Sequence, residues 1–447
     1  MIKLIISFNV FFFSIITYFN GSKQERILSE IPMCNTMQTG TNPLTGTPIF
    51  PILKSVKTTP SLFIAEEGKA YAMPLLTQTP KGEVLLSWIE KDEQGVSSFC
   101  FSLSTDKGKT FSDKKVIFAG KGVGSSRLFR AKLLPKKDGS LVAVFSNRAD
   151  APPTPPAQAQ AQQGQPQGQG RGGRGGKGGA SQLVYTVSKD GGNTWTNLVP
   201  VDTDPSAGMR GFFDAILMAN DEVAVAYLKD VKGSTKHEER DLRLAITKNG
   251  VFQAEKLLDA VVCDCCNINL LVDGSGKLNV IYRDNNDDIR DMSKMVSSDN
   301  GETFLKPENV HNDGWKIAGC PHSGAISSAN GNSALIAWYS GGEKETGFRL
   351  VTQAGKKLLV LDDPSVKNPA LMSSAKASAF LWEQGSDKSQ LVFRTIKGDK
   401  ISENISVDGS INATNAIGLI LDNQLLIAHE VKQENKKNSL KISTIGL

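Results

Sequence analysis

Three thiols and a carboxylate share four consecutive positions, Cys263-Asp264-Cys265-Cys266, and a fourth thiol follows in Gly319-Cys320-Pro321-His322. Thiolates with an imidazole suit copper(I) or zinc. The same sulfurs can instead pair as disulfides. Adjacent α-carbons lie about 3.8 Å apart, below the usual disulfide span, so a Cys265–Cys266 bridge is strained and one from Cys320 is easier. On an extended strand Cys263 and Cys265 project to one side and Cys266 to the other. The set reads as a metal or redox centre, or as a staple between neighbouring segments. Arginines form a second group: Arg127, Arg148, Arg210 and Arg283. Guanidinium forks match carboxylates bidentately, so several of them around one concavity suit an anionic ligand, whereas any single one also fits a structural salt bridge. His237 and His311 sit in polar loops, Asp287-Asp288 reads as a solvated loop, and no nucleophile elbow or phosphate loop is present.

These residues need a frame, and a repeat supplies one. Each unit has an apolar strand, a Gly-, Asn- or Asp-containing turn, a second apolar strand, and then further strands. The second strands align best: Val84–Trp88, Leu141–Phe145, Val223–Tyr227, Leu278–Tyr282, Ala334–Trp338, Ser378–Trp382 and Leu425–His429. Seven units of about 50 residues, each with room for four short strands, predict an all-β chain folded as a β-propeller of four-stranded blades. A second signature recurs in register. Ser104-Thr-Asp106-Lys-Gly108-Lys-Thr110-Phe111 has the form Ser-x-Asp-x-Gly-x-Thr-aromatic, and it returns at Ser188–Trp195 and Ser297–Phe304. Its Asp, Gly and aromatic suit a tight turn between a blade's outer strands.

Antiparallel neighbours put the start of each first strand and the end of each second strand on one face. First-strand starts bring Arg127, Arg130, Arg210, Asp214, the Cys263–Cys266 cluster, Cys320 and His322 to the channel mouth. Second-strand ends add Glu90, Arg148, Lys229, Asp230, Arg283, Asp284, Tyr339, Glu383, His429 and Glu430. That face is the expected site.

The octapeptides resemble the Asp-boxes of the sialidase-like, or BNR-repeat, propeller superfamily, over roughly residues 71 to 447. True sialidases usually have six blades, so six is the alternative to the seven counted here. In that family three arginines hold the sugar carboxylate, a Tyr activated by a Glu is the nucleophile, and an Asp is the acid/base. The resemblance implies Arg127, Arg148, Arg210 and Arg283 as substrate-binding candidates. It implies Tyr339 as the nucleophile, Glu383 (or Glu90) as its base, and Asp214 as the acid. The family's Arg-Ile-Pro sequence has no counterpart, Ser126-Arg127-Leu128 being the nearest. The expected function is to act on or bind an anionic glycan, as an exo-acting hydrolase that needs no cofactor. The alternative is a non-hydrolytic propeller that uses Cys263, Cys265, Cys266, Cys320 and His322 for copper or zinc.

Composition sets the bounds. The 447 residues carry 51 Lys plus Arg against 46 Asp plus Glu, and a net charge of +5 gives no argument for nucleic-acid binding. With 39% hydrophobic and 22% charged residues, wholesale disorder is excluded. Residues 1–22 have the layout of a signal peptide, with Lys3 before the uncharged run Leu4–Phe19 and Gly21-Ser22 after it. Export is expected, to the periplasm, the cell surface or the medium, with no stable membrane span after cleavage. Residues 23–70 are expected to close the last blade near Ser61–Ile64, and 71–447 to form the propeller. The Pro/Gln/Gly-rich stretch 151–180 has nothing to pack a core and reads as an inserted solvated loop.

Overall fold

The computed structural model describes residues 54–63, 65–148, 181–202, 204, 208–233, 239–331, 333–434 and 437–447, with the backbone but not the side chains of Met209, Arg210 and Glu239. The expected signal segment, Cys34 and the 151–180 insertion lie outside these residues. Among the described residues there is no helix, and hence none long and apolar enough to cross a membrane.

Seven antiparallel sheets form seven blades of a β-propeller. Their inner strands are Ala70–Gln78, Lys132–Pro135, Met209–Leu217, Asn269–Val272, Ile326–Asn330, Lys367–Ser373 and Ala413–Leu421. From blade 2 to blade 7 these touch in succession, and the last touches the first. An apolar cluster containing Phe99, Leu133 and Phe145 packs blade 1 on blade 2. The aligned apolar runs are the second strands, such as Val84–Lys91, Val223–Asp230 and Gln424–Val431. A central strand between two neighbouring blades is covered on both faces, so it reads as a continuous apolar run rather than an alternating one. Seven of the eight residues of Val84–Lys91 are buried.

The first and last of the described strands of the ring meet near blade 7. Thr59–Pro60 pairs with Ser443 and Thr444 as the fourth strand, while Lys54–Val56 runs parallel to Ile405–Val407 at the edge of blade 6. Beyond Pro60 the segment crosses to blade 1, where Leu62 bridges to Thr110 and the Phe63 ring packs edge-on against Tyr71 and Trp88.

The three octapeptides fold alike. In each, the Ser hydroxyl donates to the Asp carboxylate and accepts from the Gly amide, and the Asp accepts from both the amide and the hydroxyl of the Thr. These hydrogen bonds, the Thr hydroxyl's foremost, hold Asp106 at a pKa of about 2 and Asp190 and Asp299 lower still. The glycine also seats one blade on its neighbour. Gly192 has φ +84, and a Cβ there would stand 2.4 Å from the Phe101 ring of blade 1. Gly108 meets Leu426 and Gly301 meets Ile246 in the same way. Each turn is therefore an inter-blade joint.

Candidate functional site

The cysteines occupy the crossing from blade 3 to blade 4. The outer strand Lys256–Cys263 ends at Cys263, and the chain then turns instead of continuing extended. The alternation expected of a strand is therefore lost, and all three sulfurs converge. Cys263 Sγ lies 3.3 Å from Cys266 Sγ and 3.9 Å from Cys265 Sγ. All three residues are buried, with Phe212 packed against them. Cys265 belongs to a second group as well, with its sulfur, that of Cys320 and an Asp264 oxygen within 4.8 Å of one another.

Asn267 fixes the facing loop, donating from Nδ2 to Ala325 O and accepting from Gly324 N at 2.9 and 2.8 Å. A side chain at Gly324 would collide with the Asn267 carbonyl, so only glycine allows this approach. The five cysteines among the described residues are all free thiols, so the Cys320 staple is not formed. Cys320 is exposed, and its sulfur lies 3.4 Å from Asp264 Oδ1. His322 is exposed too, its Nδ1 2.9 Å from Cys320 O, and it joins neither ligand group. Hydrogen bonding with Cys265 and Cys266, aided by the Arg290 charge, holds Cys263 well below the ordinary thiol range. Those two move up, Cys265 through the same bonds and Cys266 chiefly through burial.

Two buried arginines flank the thiols and differ sharply. Arg283, at the end of blade 4's second strand, donates to Ser323 O at 2.9 and 2.6 Å, to Arg290 O at 2.6 Å and to Tyr339 O at 2.8 Å. It also stacks 4.9 Å above Trp315. Its fork is occupied by backbone carbonyls, which makes it an inter-blade tie. Arg290 is 0% exposed, and none of its guanidinium nitrogens makes a hydrogen bond of ordinary geometry. Burial works to lower its pKa, but the Cys263 sulfur and the Asp264 charge outweigh it and raise it. It follows the hairpin Asn286–Ile289, whose central residues Asp287 and Asp288 have positive φ, so that pair is accounted for as a tight turn.

The other residues expected at the channel mouth have these surroundings. Arg127 caps the tight hairpin Ser126–Phe129 and is solvent-accessible; crowding by protein lowers its pKa, with Glu383 opposing. Arg130 donates to Pro74 O and Asn415 O, tying blade 2 to blades 1 and 7, and burial pushes it down to about 10. Glu383 accepts from Asn368 Nδ2, Thr414 Oγ1 and Asn415 N, and burial pushes its pKa up. Asp214 takes Lys132 Nζ at 2.6 Å and the amide of Leu270 at 2.8 Å, joining blades 2, 3 and 4. Tyr339 is half-buried between Trp315 and Phe348, edge-on to both. Arg148 is exposed at the end of its strand, and Arg210 starts the inner strand of blade 3. The channel-mouth set thus gathers Arg127, Arg130 and Glu383, while Arg283 and Asp214 are committed to the frame.

Arg290 was absent from the sequence candidates. One signal was legible: Ser126–Arg130 and Asn286–Arg290 both pair a two-residue hairpin with a following Arg, and both arginines turn inward.

No protein-family model matches the chain, and no curated protein sequence does. Solved structures do. A protein of unknown function from Dyadobacter fermentans aligns at TM-score 0.50 with 14% identity, covering 89% of this chain and all of that one. The Hadza microbial sialidase Hz136 aligns at TM-score 0.46 and 13% identity, over 85% of this chain and 66% of that one. Trypanosoma rangeli sialidase, in complex with the inhibitor DANA, gives 0.44 and 12%, over 88% and 58%. At these identities the likeness concerns the fold alone: the chain folds as a seven-bladed β-propeller.

Proposed function

We propose that the chain is a non-hydrolytic propeller whose working centre holds a soft cation, copper(I) or zinc, on Cys263, Cys265 and Cys266. The observation that carries this is the convergence of three buried sulfurs within 4.8 Å of one another at a blade crossing. Thiolates select such cations by softness, and binding releases the thiol protons. Cys320 and Asp264, at the surface, share Cys265 with the buried group. A cation captured outside can therefore move inward by exchanging ligands on one common sulfur. The test is metal content after anaerobic reduction, loading with copper(I) or zinc, and desalting of the full chain. About one equivalent should remain in wild type and be lost in Cys263→Ser with Cys266→Ser. Retention by that double variant, or none by wild type, would contradict the reading.

A second reading, an anionic glycan at the channel mouth, rests on Arg127, a solvent-accessible guanidinium beside Glu383. Binding of a carboxylated sugar that Arg127→Ala abolishes would favour it. Cleavage of a sialoside by wild type, lost in Tyr339→Phe, would extend it to hydrolysis.

A further inference from the structure

We infer that the thiol pocket is built for a monovalent cation, copper(I), and that Arg290 is the residue that selects it. The inference rests on the soft-cation reading above and adds the choice of metal.

Arginine stays charged at any ordinary pH, and a buried charge without hydrogen bonds is among the costliest groups a protein interior can hold. Arg290 comes close to this: it is fully buried, and Nε, Nη1 and Nη2 all lack a hydrogen bond of ordinary geometry. Its ion-pair contact is with Asp288, at 3.7 Å. That carboxylate is 43% exposed, so solvent screens it. What faces Arg290 from inside is the cysteine turn, through the Cys263 sulfur. An anionic occupant there would supply the missing partner. Arg283, seven positions earlier, shows the contrast, because carbonyls from Ser323, Arg290 and Tyr339 already solvate its fork. It still contributes a second fixed positive charge, 2% exposed, beside the pocket.

Charge counting then separates the metals. Three thiolates with copper(I) carry a net charge of −2, which the two buried arginines balance. Three thiolates with zinc carry −1 and leave one buried cation in excess. Asp264 and Asp288 reach solvent and count for less. Ligand number points the same way. Structural zinc is nearly always four-coordinate, whereas the buried group here has three sulfurs and His322 stands apart. Removing one positive charge destabilises a −2 complex more than a −1 complex. The difference is one unit of charge interaction, however many thiols are protonated before metal arrives.

The experiment is competition on the full-length, reduced chain. Copper(I) and zinc(II) affinities are measured separately against chromophoric chelators, for wild type, Arg290→Met and Arg290→Lys. Wild type should prefer copper(I). Arg290→Met should lower the copper-to-zinc affinity ratio by about tenfold or more, since a unit charge acts at short range in a partly dry site. Arg290→Lys, which keeps the charge, should hold more of the ratio than Arg290→Met. Circular dichroism checks that each variant is folded. Should Arg290→Met not fold, the wild-type ratio and the Arg290→Lys ratio decide. Equal or tighter zinc binding in wild type, or a folded Arg290→Met with an unchanged ratio, overturns the choice of metal while leaving the soft-cation reading standing. Binding of neither metal overturns the soft-cation reading itself.

Discussion

In the turn Ser188–Trp195, hydroxyl, carboxylate and amide partners close on one another, and Gly192 lies flat against Phe101. At the crossing between blades 3 and 4, three thiols crowd together beside a buried guanidinium. Both are blade boundaries in the same ring. The first is a joint whose Ser188, Asp190, Gly192 and Thr194 groups are satisfied by its own chain. The second holds a buried guanidinium with no hydrogen bond of ordinary geometry, facing the Cys263 sulfur and a carboxylate that solvent screens. In a fold whose stability comes from repetition, function is sought at a boundary where, among the described residues, a whole buried guanidinium rather than a single polar atom goes without a hydrogen bond of ordinary geometry.

That contrast can be broken from either side. The largest expected effect belongs to Arg283→Met, which strips donors from the carbonyls of Ser323, Arg290 and Tyr339. Leaving buried carbonyls unpaired should cost about 3 kcal/mol or more in urea unfolding. Arg290→Met, in metal-free protein, should cost less than Arg283→Met, because no hydrogen bond of ordinary geometry is lost and only the facing Cys263 and the half-exposed Asp288 lose a charge partner. Equal losses in the two variants would remove the distinction between tie and site.

Next in size is Gly192→Ala, which adds a Cβ 2.4 Å from Phe101 at φ +84. Strain plus overpacking should cost about 2–4 kcal/mol. Gly139→Ala, at φ +85 with open space around it, should cost only about 1–2 kcal/mol. A smaller effect is the acid limb. The Asp106 carboxyl is depressed to about 2 from an ordinary 3.8, and Asp190 and Asp299 lie lower. Their contribution is fully present above pH 3.8 and fades as pH falls toward 2. A triple Asp→Asn variant at these positions should flatten the fall in melting temperature between pH 4 and 2. The smallest effect is Arg127→Ala, whose melting temperature should stay within error because the side chain is exposed.

The frame was legible in the sequence because each blade's central strand is covered on both faces and must be apolar throughout. Val84–Trp88 and its six counterparts all fall within strands. The octapeptide turns were legible because their hydrogen bonds are local, closing within five residues. The site was legible in part: Cys263 to Cys266 were adjacent in sequence, so their grouping needed no tertiary information. What Arg283, Asp214 and Arg290 do was hidden, since their partners lie on other strands or loops and a residue's type does not say which carbonyl it meets. The turn after Cys263 was missed because an extended reading was carried past the end of the strand.

The most direct test of the central claim is copper X-ray absorption on the full chain, loaded anaerobically with one equivalent of copper(I). Copper should be surrounded by sulfur alone, three atoms from Cys263, Cys265 and Cys266, and that environment should collapse in the Cys263→Ser, Cys266→Ser double variant. An environment of nitrogen and oxygen, or copper that washes away from wild type, would contradict the claim.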